Sequence, residues 1–147
     1  MNFDRDYYYV KYENNNTLFN EIQNKKIDLI KNNQIYSHLT ENSEYFYLIL
    51  NDTDLIGFFS LNIKKKYVII SSLYVCKEYR KKGIATEIIN DVIFAVKYNI
   101  KFHIHCIIVN SYAESALFFL KRGFDFCKLN KKLNYKKRNI ILMKKHF

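Results

Sequence analysis

The chain contains no proline and no tryptophan, and only three glycines and three cysteines in 147 residues. No Pro/Gly/Ser-rich linker divides it, and no repeat of 20–50 residues recurs along it. Cys76, Cys106 and Cys127 are odd in number, far apart and without CxxC spacing. That pattern excludes a disulfide framework and offers no zinc site, so no metal is expected and the thiols read as reduced, in a cytoplasmic compartment. No apolar run reaches the roughly 18 residues that a membrane-spanning helix needs. The first ten residues carry Asp4 and Asp6 where a signal peptide is positively charged, which argues against export.

What is present is an ordinary globular composition, 49% hydrophobic and 26% charged, which excludes collagen-like and wholly disordered chains. The length suits one domain spanning 1–147. The net charge of +10 is unevenly spread. Residues 1–60 carry 5 basic and 9 acidic side chains, residues 61–120 carry 9 and 4, and residues 121–147 carry 10 and 1. A basic back half implies an anionic partner, either nucleic acid or a phosphorylated cofactor or substrate.

Apolar periodicity predicts alternating elements. Residues 7–12 are aromatic and β-branched, a first strand. Leu18, Phe19, Ile22, Leu29 and Ile30 predict a helix over 17–33, with a second short helix following to about 39. Two apolar runs, 45–50 and 55–63, flank Asn51-Asp52-Thr53-Asp54 and read as a hairpin; Lys64-Lys65-Lys66 turns the chain into a third strand, 67–75. Ile84, Ile88, Val92 and Ala95/Val96 predict a helix over 83–98. A strand over 102–109, a helix over 113–122 stopped by Gly123, and two strands over 125–132 and 138–144 complete the order β-α-α-β-β-β-α-β-α-β-β. This is an α/β (α+β) mixed sheet with helices on its faces.

The most informative segment runs from Leu73 to Thr86. A strand ends, a basic loop follows, and Gly83 opens an amphipathic helix. The first amides of such a helix lack internal partners, and its dipole adds about half a positive charge there. Gly83 removes the side chain that would keep a ligand off the backbone. Ala85 is small, Thr86 offers a hydroxyl, and Arg80, Lys81 and Lys82 add three cations. These features together describe a pyrophosphate cradle. Neither GxxxxGK[ST] nor GxGxxG is present.

Arg80-Lys81-Lys82-Gly83-Ile84-Ala85 resembles the R/Q-x-x-G-x-G/A acetyl-CoA signature of the GNAT superfamily of N-acetyltransferases. Leu73-Tyr74-Val75 resembles the family's preceding strand, Leu55-Ile56-Gly57-Phe58 its v-G-f segment, and Phe118 to Phe124 its x-K-x-G-F helix end. The resemblance implies a fold whose central strands, ending at Val75 and beginning near Phe102, splay apart. Acetyl-CoA would be the cosubstrate, with its pantetheine arm inserting as an extra strand against Leu73 and Val75. The resemblance also puts the diphosphate on the amides of 80–86 (Arg80, Lys81, Lys82, Gly83, Ile84, Ala85, Thr86), and Asn110 beside the arm. The amine would then attack directly, so that catalysis is largely positioning, worth about 7–11 kcal/mol, with a main-chain amide near Val75 polarising the thioester oxygen.

Two departures bear on mechanism. Phe119 stands where many relatives carry the tyrosine that protonates the departing thiolate. Tyr112, seven residues earlier and on nearly the same helical face, is a candidate donor, packing being the plainer reading. The strand 67–75 carries no carboxylate base, leaving Glu41, Glu44 or water. A neutral lysine costs about 4–5 kcal/mol at pH 7, and an amine of pKa near 8 only about 1–1.5, which favours a low-pKa acceptor. His103 and His105 alternate on one strand face, as half-buried sheet residues, a proton relay or metal ligands. Cys76 reads as a packed thiol, and Tyr7-Tyr8-Tyr9 as a strand cluster.

The basic residues of 128–138 flank the acceptor side in the resembled fold and favour an anionic small-molecule amine such as glucosamine 6-phosphate. Protein N-terminal or lysine acetylation is the alternative acceptor class. Two readings of other kinds stand beside these: an acyl-CoA sensor without catalysis, and a nucleic-acid-binding module whose affinity would fall steeply with salt. Against the last, no recognised nucleic-acid-binding motif occurs. A homodimer through the last strands is compatible with the resemblance.

Overall fold

The computed structural model describes residues 6–12, 28–30, 39, 43–52, 54–99, 102–112, 115–127 and 140–147. Among these, eight strands form one mixed sheet: β1 (Tyr8–Tyr12), β2 (Asp28–Ile30), β3 (Ser43–Leu50), β4 (Leu55–Ile63), β5 (Tyr67–Val75), β6 (Cys106–Tyr112), β7 (Asp125–Phe126) and β8 (Ile140–His146). Helix α1 is Ile84–Lys97, α2 is Ala116–Leu120, and a 3-10 turn covers Lys77–Tyr79. The strands lie in the order β2-β1-β3-β4-β5-β6-β8-β7.

The expected meander is present, and Asn51 and Asp54 close the β3–β4 turn through a backbone bond of 3.0 Å and an Asn51 side-chain bond of 2.7 Å to the Asp54 amide. Strand β5 continues antiparallel to β4, and the α1 crossover then returns the chain so that β6 runs parallel to β5. The α1 stripe read from the sequence is the buried one: Ile84, Ile88, Val92 and Val96 face the sheet, joined by Ile89. Beneath them Tyr9, Tyr47 and Phe59 pack with ring centroids 4.9–5.2 Å apart. The hydroxyl of Tyr7 donates to Glu87, and that of Tyr9 to Asp91 at 2.5 Å. The strand tyrosines therefore tie β1 to α1 as well as filling the core.

Several elements depart from expectation. Residues 28–30, expected at the end of the first helix, form strand β2, with Tyr9 opposite Ile30 and Lys11 opposite Asp28. The adjacent pair Leu29-Ile30 fits either period, and backbone pairing with β1 decides it. Leu39, at the end of the second expected helix, is buried and in no helix, and the rest of the two expected helices lies outside the described residues.

The strand expected over 102–109 is β6, shifted to Cys106–Tyr112. Its partner β5 starts at Tyr67, opposite Cys106, so residues 102–105 run beyond the paired edge. Phe102 and Ile104 are buried there, whereas His103 and His105 are exposed, which removes them as sheet histidines. The helix expected over 113–122 is the short α2, Ala116–Leu120. Of the strand expected over 125–132 residues 125–127 are described, of which Asp125–Phe126 form β7, and the last strand runs to His146.

Candidate active site

The sheet opens at its centre. Pairing between β5 and β6 covers only Tyr67–Ile70 with Cys106–Val109. Beyond that point β5 stays with β4 up to Val75 opposite Gly57, and β6 stays with β8 up to Tyr112 opposite Ile140. The two strands therefore diverge, as the splayed fold requires. A β-bulge lies where they part. Ser60 pairs with Ser72 but Leu61 pairs with Ile70, which leaves Ser71 as an extra residue on β5. Asn110 closes the vertex, its side-chain amide donating to the Ser71 carbonyl at 3.2 Å. Above the vertex lies a cleft of about 980 Å³.

One edge of β5 faces this cleft. The Cys76 amide bonds to Ile56 across the β4 side at 2.7 Å. Because amides alternate along an antiparallel ladder, those of Val75 and Leu73 turn the other way, towards the gap. The close β4–β5 approach depends on Gly57: a Cβ there would lie 2.0 Å from the Tyr74 carbonyl oxygen.

The far wall is the start of α1. Gly83 sits at the N-cap with φ +82°, and a Cβ there would meet no atom within 4 Å. The first helical bond runs from Glu87 to the Gly83 carbonyl at 3.0 Å, so the amides of Ile84, Ala85 and Thr86 have no acceptor within the helix. Glycine supplies the left-handed turn and leaves that end of the helix open. A diphosphate fits this combination of bared amides, dipole and cations.

Of the ten residues expected at the cofactor, Leu73, Val75, Arg80, Lys81, Gly83, Ile84, Ala85, Thr86 and Asn110 all line the one cleft. Lys82 does not. Its ammonium lies 5.4 Å from the Tyr79 ring centroid, outside the lining. The Arg80 guanidinium folds back, donating to the Val75 carbonyl at 2.8 Å and resting 5.4 Å from the Tyr74 ring.

Tyr112, the candidate proton donor, ends β6 and does not share a helix with Phe119, so the argument from a common helical face fails. Phe119 itself is buried, packed edge-on to Phe118 and Phe124, and its ring offers no proton. Of the candidate bases, Glu44 is exposed on β3, and Glu41 and the basic stretch 128–138 lie outside the described residues.

Two cleft residues were missed in the sequence. Arg122 donates from Nε to the Thr86 hydroxyl at 2.7 Å and from Nη1 to the Phe118 carbonyl at 2.9 Å. Its guanidinium stacks on the Phe118 ring at 3.5 Å. It adds a cation within the first turn of α1, and its place beside Gly123 in the x-K-x-G-F segment was the available signal.

Tyr79, also in the lining, donates its hydroxyl to Asp54 at 2.6 Å and accepts from the Asn51 side chain at 3.3 Å. The bond to Asp54 raises its pKa above the ordinary tyrosine value, so the phenol is protonated at neutral pH. The polar hairpin 51–54 is thus a support for the cleft rim. Burial pushes the Cys106 and Cys127 thiols up, with Lys144 pulling the other way. Among the described residues no group of three His, Cys, Asp or Glu could hold a metal ion.

The family model of the acetyltransferase (GNAT) domain matches residues 11–145. The chain belongs to the GNAT acetyltransferase family. It is an acetyl-CoA-dependent acetyltransferase, as the resemblance in its loop and glycines implied. Solved structures similar to this GNAT chain include Arabidopsis thaliana Naa50 in complex with the bisubstrate analogue CoA-Ac-MVNAL. That match has a TM-score of 0.63 and 20% identity, and covers 97% of this chain and 100% of that one. The PaiA N-acetyltransferase of Thermoplasma acidophilum in complex with coenzyme A matches at TM-score 0.56 and 20% identity, over 90% and 70%. A GNAT acetyltransferase of Elizabethkingia anophelis with acetyl-CoA bound matches at 0.55 and 18%, over 71% and 77%. No curated protein sequence matches the chain. Among the described residues no helix is long and apolar enough to cross a membrane.

Proposed function

We propose that this GNAT domain works in the cytoplasm, moving the acetyl group of acetyl-CoA onto a primary amine of a small molecule. The observation that carries this reading is the junction of an open β5 edge with the bared start of α1 in one cleft. Acetyl-CoA supplies the activated acetyl thioester, and the chain supplies position and charge. The amides of Ile84, Ala85 and Thr86, with Lys81 and Arg122 beside them and Arg80 at the loop, suit a diphosphate. The amides and carbonyls of β5 on the cleft side suit the polar arm, and the Val75 amide is the donor for developing charge on the thioester oxygen.

Phe119 cannot act as proton donor, and the Tyr79 phenol that lines the cleft already donates its hydrogen bond to Asp54. A thiolate is a tolerable leaving group, its thiol having a pKa near ~8.5, so it departs without a positioned acid.

For the acceptor, the abundance of cations in residues 121–147 favours an amine that also bears an anionic group, with amino sugar phosphates such as glucosamine 6-phosphate the first to test. The second reading is a peptide N-terminus, favoured by the full-length match to Naa50. An α-amine, like an amino sugar, is cheap to deprotonate. Thiol release from acetyl-CoA, measured with sugar phosphates and with short peptides, separates the two. Turnover on glucosamine 6-phosphate well above glucosamine supports the first reading, and turnover on peptides alone replaces it with the second.

A further inference from the structure

The vertex of the cleft is built from hydroxyls. Ser60, on the central strand β4, is 5% exposed, and its Oγ lies 2.8 Å from the Ser71 hydroxyl and 2.6 Å from that of Ser72. Two adjacent residues of an ordinary strand point to opposite faces and cannot both reach one cross-strand neighbour. Here both do, because Ser71 is the extra residue of the bulge. The same Ser71 receives the Asn110 side-chain amide on its carbonyl. Ser71 and Ser72 line the cleft, and the next residues along β5 are Leu73 and Val75, whose amides turn into it. A bulge leaves an unpaired residue and bends its strand, and a half-buried three-hydroxyl cluster with each member bonded is a specific way to hold one bend.

We propose that Ser60 is a positioning residue for the pantetheine arm: its hydroxyl, joined to those of Ser71 and Ser72, fixes the bulge that aims the β5 edge into the cleft. The proposal rests on the reading that this cleft takes the arm of acetyl-CoA. Ser60 does not itself line the cleft, so it acts through Ser71 and Ser72. Alanine at position 60 leaves two hydroxyls without their shared partner in a half-buried setting. The β5 edge beyond the bulge then loses its fixed direction, while the start of α1, where a nucleotide diphosphate would sit, is untouched.

The test compares two probes by calorimetry: coenzyme A, and 3′-phospho-ADP, which is its nucleotide end without the arm. Ser60→Ala is expected to bind coenzyme A about three- to tenfold more weakly, as the loss of one buried hydrogen-bond partner implies, and 3′-phospho-ADP within about twofold of wild type. Ser72→Ala, at a half-buried position, is expected to shift the pair of affinities in the same direction and serves if the first variant folds poorly. Equal weakening for both probes would show a hydroxyl cluster that only supports the fold, and unchanged affinity for both would show a bulge that needs no clamp. Either result overturns the proposal. Failure of the wild-type chain to bind coenzyme A would instead overturn the reading of the cleft.

Discussion

Gly57→Ala is the sharpest single perturbation of this sheet. The added Cβ would stand 2.0 Å from the Tyr74 carbonyl oxygen and 3.0 Å from both the Tyr74 carbonyl carbon and the Val75 Cα. All three are backbone atoms, so no side chain can turn aside. Strand β5 would have to retreat by about 1.4 Å, from 2.0 to 3.4 Å, to restore an ordinary contact in a close-packed interior, against the Cys76–Ile56 bond that holds it there. Overpacking of this kind costs about 1–3 kcal/mol. For a chain of this size each kcal/mol lowers Tm by about 2–4 °C, giving a drop of about 2–12 °C. Because Tyr74 and Val75 also line the cleft, the retreat should raise KM for acetyl-CoA in the fraction that stays folded. Thermal melting followed by steady-state kinetics reads both effects. A variant that melts within 1 °C of wild type with an unchanged KM would refute the close approach and the role of this edge.

Arg122→Ala should raise KM for acetyl-CoA about tenfold with kcat nearly unchanged, as the loss of one charge-assisted contact implies. A change in kcat alone would assign Arg122 elsewhere. Tyr79→Phe removes the bond to Asp54 and should leave kcat nearly unchanged while loosening the cleft rim, and a large fall in kcat would give the phenol a part in the chemistry. Its bond to Asp54 favours the neutral phenol, so that contribution to stability is present below pH ~10 and is lost as pH rises through the raised value. Asp54→Asn should bring the Tyr79 titration down towards the ordinary tyrosine value, as followed by carbon NMR of labelled tyrosine. Burial raises the Cys106 and Cys127 thiols, so a disulfide reagent should modify Cys76 rapidly in the native chain and the other two only on unfolding. Three fast thiols would contradict that.

Where structure follows from local spacing, it was legible in the chain. The α1 stripe repeats every three to four residues behind a glycine, and the hairpin between β3 and β4 is marked by four polar residues between apolar runs. The open, glycine-capped start of α1 was legible for the same reason, since Gly83 and the neighbouring cations are contiguous. What was hidden depends on partners distant in sequence. Ser60 and Asn110 meet the bulge at Ser71 from strands on either side, and nothing within residues 67–75 announces it.

Tyr79 acquires its shifted pKa from Asp54, 25 residues away, and Arg122 meets Thr86 across 36 residues. The start of β6 was misplaced because Phe102 and Ile104 are buried off the sheet edge, which gives them the same apolar alternation as a strand. Tyr112 was put on the helical face of Phe119 by counting back seven residues, whereas pairing with β8 keeps that residue in β6.

Calorimetric titration of coenzyme A into wild type and Gly83→Glu bears most directly on the proposed site. A side chain at position 83 meets no atom of the protein within 4 Å, so the variant pays mainly for its left-handed backbone, about 1–2 kcal/mol. A carboxylate about 5 Å from a diphosphate opposes it by about 3 kcal/mol at an effective dielectric near 20. Binding should therefore weaken about a hundredfold, with the fold retained by circular dichroism. A Gly83→Glu chain that binds coenzyme A as tightly as wild type would place the diphosphate somewhere other than the start of α1.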